Sequence, residues 1–86
     1  MNMLELGVRQ FILRALLAAG DRPMVDSTLR SVVRQAFAHV AIAESDLSKW
    51  IVATETAGLI TSADDTASGT VWTLTLIGTL KAKQLK

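Results

Sequence analysis

Residues 58–78 read Gly58-Leu59-Ile60-Thr61, then Ser62-Ala63-Asp64-Asp65-Thr66-Ala67-Ser68-Gly69, then Thr70-Val71-Trp72-Thr73-Leu74-Thr75-Leu76-Ile77-Gly78. Upstream of Gly58 the apolar residues recur every three or four positions. Beyond it the period falls to two, and β-branched and aromatic residues dominate. Trp72, Leu74 and Leu76 share one face at that period. The small, polar run 62–69 between the two apolar runs predicts a hairpin with a mobile tip. Gly58 stands where a left-handed residue ends a helix. From about Leu76 a short last helix carries Lys81, Lys83 and Lys86 toward its C-terminus, where positive charge offsets the helix dipole.

Working back from Gly58, three helical patterns precede the hairpin. In the first, Leu4, Val8, Phe11, Ile12, Ala15 and Ala19 form one core-facing stripe, ended by the turn cluster Gly20-Asp21-Arg22-Pro23. Leu6, Leu13 and Leu17 fall on nearly the opposite face. They need a cover of their own, either the last helix with Leu80 and Leu85 or a second copy of the chain in a symmetric homodimer. The second helix starts at Asp26 or Ser27, whose side-chain oxygens suit the unpaired amides of a first turn. It turns Leu29, Val32, Val33, Ala36 and Phe37 inward and leaves Arg30 and Arg34 outside. For the third helix Ser45 offers the N-cap and Asp46 favours the dipole. Leu47, Ile51 and Thr54 point inward, and Trp50 lies at the edge of the inward arc, placed to pack against the hairpin. Two helices across a short connection make a helix-turn-helix candidate, although that connection contains no glycine.

The order of elements, three helices and then a hairpin, resembles a winged-helix domain. Trp72-Thr73-Leu74-Thr75-Leu76-Ile77-Gly78 resembles the closing strand of many such proteins, in which Leu-Thr-x-x-Gly precedes a terminal helix. Gly58-Leu59-Ile60 is similar to the Gly-Leu-Ile or Gly-Leu-Val exit from their third helix. The length, and the spacing from Gly58 to Leu74-Thr75, resemble the small winged-helix proteins of Mu-like prophages. The resemblance implies an α+β winged helix: a three-helix core, a C-terminal β-hairpin wing and a short terminal helix. It further implies a phage protein acting in the cytoplasm of a bacterial host.

Composition bounds the function. The chain has 86 residues, 50% of them hydrophobic, with 9 Lys+Arg against 8 Asp+Glu and no cysteine. That is one domain over residues 1–86, and it buries only roughly 60–65% of its unfolded surface, so association is a natural route to extra stability. Without cysteine there is no disulfide framework, no thiolate metal site and no cysteine nucleophile. Glu5, Arg9 and Arg14 interrupt the N-terminal apolar segment, which argues against a signal peptide, and no run reaches the length of a membrane span. A cytoplasmic location with no membrane partner is the expectation. His39 is the only histidine, Asp64-Asp65 sits in a turn-forming run, and Gly69 and Gly78 lack phosphate-loop spacing. No enzyme, metal or cofactor is expected.

The resemblance implies double-stranded DNA as a partner, with the third helix in the major groove. On that helix Ser45, Ser48, Lys49, Val52 and Thr56 face outward, and Arg30, Arg34, Lys81, Lys83 and Lys86 are backbone candidates. The charge opposes it. From Glu44 to Gly58 a single cation, Lys49, stands against the three acids Glu44, Asp46 and Glu55, and the wing adds Asp64 and Asp65 with no cation between Leu59 and Leu80. The competing expectation is a module that docks a phage or host protein, or dimerises through Leu6, Leu13 and Leu17, without binding DNA.

Overall fold

The period change at Gly58 marks the boundary between the third helix and the hairpin. The structure is a computed structural model that describes residues 2–20 and 22–85. Its elements run α1 (Met3–Ala18), β1 (Met24–Val25), α2 (Asp26–Ala36), α3 (Glu44–Thr56), β2 (Ile60–Asp65), β3 (Gly69–Leu74) and α4 (Leu76–Gln84). The domain is α+β, the described residues forming four helices and one antiparallel sheet in the order β1-β3-β2.

Helix α1 begins where Asn2 Oδ1 accepts from the Glu5 amide at 2.6 Å, and it ends before Gly20, whose φ of 70° is open to glycine but strained for other residues. Asp21, in the predicted turn, lies outside the described residues, as does Lys86. Val8, Ile12, Leu13 and Leu16 of α1 are buried together with Leu29, Val33, Leu47, Trp50, Ile51 and Trp72. Each such side chain contributes about 1.5–3 kcal/mol of hydrophobic stabilisation. Trp50 is therefore a core residue. Thr54, the buried polar residue of α3, satisfies its hydroxyl by donating to the Trp50 carbonyl at 2.8 Å.

The N-caps of α2 and α3 differ from expectation. Val25 caps α2 and Ala43 caps α3, neither with a side-chain bond, so Asp26 and Ser45 both lie inside their helices. Asp26 is diverted because its carboxylate accepts from Arg30 Nε at 2.8 Å and from Trp72 Nε1 at 2.9 Å. Charge-assisted bonds to two partners outweigh one amide of its own first turn. Ala36, assigned to the core stripe, is exposed at the end of α2.

The hairpin is longer and its tip shorter than the polar run implies. Pairing continues from Ile60↔Leu74 through Asp65↔Gly69, so residues 62–65 form strand and only residues 66–68 form the turn. The turn is held by the Ala67 amide donating to Asp65 Oδ1 at 2.8 Å, and Gly69 supplies the positive φ that follows it. The sequence pattern missed β1 entirely: Met24 pairs with Trp72 and Val25 with Val71. Leu76 is not on the sheet face but opens α4, exposed.

The joint between sheet and last helix explains the spacing Gly58…Thr75…Gly78. Thr75 caps α4 by accepting from the Gly78 amide at 2.9 Å, and the same hydroxyl donates to the Gly58 carbonyl at 2.6 Å. The Thr75 amide donates to the Leu59 carbonyl at 3.1 Å. A Cβ on Gly78 would lie 1.8 Å from that carbonyl oxygen, so the first turn of α4 reaches Leu59 only without a side chain. Gly58 itself has φ 80°. One threonine and two glycines thus pin the exit of α3 to the entry of α4.

Candidate nucleic-acid interface

Helix α3 leaves one row to solvent. Ser45, Lys49, Val52 and Thr56 are all exposed, and their spacing of four, three and four residues draws a line down one face. The row spans roughly 16 Å at 1.5 Å per residue. It carries hydroxyls at both ends, an ammonium and one branched methyl pair, which are groups that bond base edges or phosphates and touch a thymine methyl. Ser48, predicted on the same face, is instead engaged by α2, its hydroxyl accepting from Arg30 Nη1 at 2.8 Å.

Arg30 and Arg34, predicted as an outward cationic pair, are instead the bolts between α2 and α3. Arg30 bonds Asp26 through Nε at 2.8 Å and Glu44 Oε1 through Nη1 at 2.6 Å. Arg34 bonds Glu44 Oε2 through Nη2 at 2.5 Å and the Ile42 carbonyl through Nη1 at 2.9 Å. The network ties the connection at Ile42 and the first turn of α3 to the outer face of α2, which fixes the angle at which the exposed row is presented. Hydrogen bonds from Arg34 and then Arg30 hold the Glu44 carboxyl below its ordinary value, so it is ionised at neutral pH. Two guanidiniums against two carboxylates leave no net charge at this corner.

The hairpin adds acid rather than base. Residues 61–69 are exposed and include Asp64 and Asp65, while Glu55 of α3 accepts from the Ser62 hydroxyl at 3.0 Å. The lysines of α4 lie elsewhere. Lys81 lines a hollow of about 390 Å³ with Leu6, Arg9 and Leu85, and Lys83 lines another with Leu17 and Thr79. Arg14 donates to the Leu85 carbonyl at 2.9 Å, closing the end of α4 onto α1.

That closure settles what covers the second leucine stripe of α1. Leu13 is buried in its own chain and Leu17 is half-buried, with Leu85 of α4 packed against the same core. Leu6 stays exposed at the rim of the hollow. A second copy is not needed to cover Leu13, while Leu17 stays half-buried and Leu6 exposed. Leu80, expected to fold back over these leucines, points to solvent instead. Together with Leu76 and Ile77 it forms an apolar row on α4, at 78%, 63% and 56% exposure for Leu76, Ile77 and Leu80. The row goes unread in the sequence, although the last helix is expected from about Leu76, because the pattern also places Leu76 on the sheet face and Leu80 over the first helix.

His39 is exposed in the turn that follows α2, and among the described residues no three His, Asp or Glu side chains converge on a common point. Among the same residues no helix is long and apolar enough to cross a membrane. No protein-family model matches this chain, nor does any curated protein or solved structure.

Proposed function

We propose that this domain is a winged helix that binds double-stranded DNA without catalysis, α3 entering the major groove and the hairpin standing beside it as a wing. The observation that carries the reading is the uninterrupted row Ser45, Lys49, Val52 and Thr56, held at a fixed angle by the Arg30–Glu44–Arg34 network and free of any core duty. A helix of about 10–12 Å diameter fits a major groove about 12 Å wide. Because the wing is acidic, contact is confined to α3 and its N-terminal corner, and affinity is weak and strongly dependent on Lys49. On this reading the chain works in the cytoplasm of a bacterial host as a small regulator or DNA-processing accessory, the setting implied by its resemblance to Mu-like prophage proteins.

Fluorescence anisotropy of a labelled 20-bp duplex against increasing salt tests this. Lys49→Gln weakens binding and flattens the log-log salt slope by about 0.9, the loss of one phosphate contact. Absence of duplex binding at low salt by the wild type defeats the proposal.

A second reading has its own observation. Leu76, Ile77 and Leu80 lie at positions i, i+1 and i+4 of α4 and form contiguous exposed apolar surface, the mark of a protein-docking face. If that face is the functional one, Leu80→Glu abolishes function in the host while leaving duplex binding unchanged.

A further inference from the structure

The cations nearest α3 converge on one carboxylate. Glu44 opens the helix, and its two oxygens are taken by two different guanidiniums, Arg30 at 2.6 Å and Arg34 at 2.5 Å, with the Ser48 hydroxyl on the same Arg30 nitrogen. A carboxylate in this position presents two oxygens sharing one negative charge. A phosphodiester presents the same: two non-bridging oxygens, one charge, and a geometry that guanidinium groups bind well.

The carboxylate can leave. Glu44 is 63% exposed and Arg34 41% exposed along their side chains, so the pair faces solvent and a duplex reaches it without unfolding. Ala43, not Glu44, is the N-cap, so the Glu44 side chain has no part in capping and can rotate outward without uncapping α3. Arg34 also stays in place when Glu44 moves, because its Nη1 is anchored on the Ile42 carbonyl at 2.9 Å. Arg30 remains on Asp26 at 2.8 Å. Withdrawal of Glu44 therefore exposes one net positive charge at the N-terminal end of the row Ser45, Lys49, Val52 and Thr56, where the helix dipole adds to it.

We propose that Arg34, with Arg30 and Ser48 beside it, is a binding site for a backbone phosphate of duplex DNA, occupied in the free protein by Glu44 as an internal stand-in. Duplex binding then requires exchange of the carboxylate for a phosphate, and the chain's own acid holds its affinity down. This inference rests on the DNA-binding reading above and adds the phosphate site and its internal competitor.

The test compares anisotropy of a labelled 20-bp duplex for the wild type, Glu44→Gln, Glu44→Gln with Arg34→Gln, and Asp46→Asn. The last removes one negative charge from the same helical turn without touching either arginine, and so measures the general effect of charge. Glu44→Gln is expected to bind several-fold more tightly than Asp46→Asn at a salt slope like that of the wild type, because both make the same phosphate contact once bound. Adding Arg34→Gln removes the gain. If the wild type binds duplex and Glu44→Gln gains no more than Asp46→Asn, the stand-in is refuted and the DNA-binding reading survives. If none of the four binds at low salt, both fall.

Discussion

Gly7 and Gly78 both lie inside helices, and replacing each with alanine moves stability in opposite directions. Helix propensity alone favours both changes by about 1 kcal/mol. At Gly7 the new methyl meets Phe37 ring atoms at 3.6 and 3.7 Å, ordinary contact distances, so Gly7→Ala keeps the propensity gain and raises Tm by a few degrees. At Gly78 the methyl lies 1.8 Å from the Leu59 carbonyl oxygen, against the 3.4 Å at which ordinary contact begins. A backbone carbonyl cannot rotate away, so the first turn of α4 must retreat by the difference of about 1.6 Å. That movement breaks the Thr75 bonds to the Gly58 and Leu59 carbonyls, now 2.6 and 3.1 Å long. Two lost hydrogen bonds at about 1 kcal/mol each and overpacking of about 1–3 kcal/mol exceed the propensity gain. The net destabilisation is about 2–4 kcal/mol, which lowers Tm by roughly 10–30 °C in a domain of this size. Thermal and urea unfolding, followed by circular dichroism and by fluorescence of Trp50 and Trp72, measure both variants. A Gly78→Ala protein as stable as the wild type would refute the close approach and the joint built on it.

Thr75→Val removes the α4 cap and the tie to Gly58 together, and urea unfolding should show a loss of about 1–2 kcal/mol. Leu13→Ala empties a buried position beside α4, with an expected cost of about 2–5 kcal/mol in the same assay; sedimentation reporting instead a dimer that dissociates at unchanged stability would restore the leucine stripe as an interface. Glu44 has a pKa depressed by its arginines, so its contribution to stability is present above its unfolded value near 4.5 and lost as pH falls through the lower folded value. Unfolding measured from pH 6 to pH 3 should therefore show the wild type more stable than Glu44→Gln at the upper end, with the difference shrinking as the pH falls below the unfolded value. A constant difference across that range contradicts the ion-pair network.

Gly58 was legible because a helix exit asks for a positive φ, whereas Thr75 and Gly78 entered only through a resemblance, and their parts as cap and missing side chain depend on where Leu59 lies. The stripes of α1 and α2 were legible for the same reason that periodicity is, since Val8, Ile12, Leu29 and Val33 all reach the core. What escaped was decided at a distance. Asp26 carries the composition of an N-cap, but Trp72, 46 residues away, competes for its carboxylate. Two residues, Met24 and Val25, are too few to show a strand period, and only their pairing with β3 makes them one. Arg30 and Arg34 look like a solvated basic pair until the chain brings Glu44 across from α3. The outward row of α3 needed only helical spacing, and so Ser45, Lys49, Val52 and Thr56 emerge as read, whereas Ser48 was lost to a partner on α2.

The most direct measurement is a titration of isotope-labelled protein with a 20-bp duplex at low salt, followed by amide chemical shifts. The largest changes are expected on Ser45, Lys49, Val52 and Thr56 and on Arg34 and Glu44 at the head of the row. Shifts confined to Leu76, Ile77 and Leu80, or an unchanged spectrum at saturating duplex, contradict the proposed DNA binding.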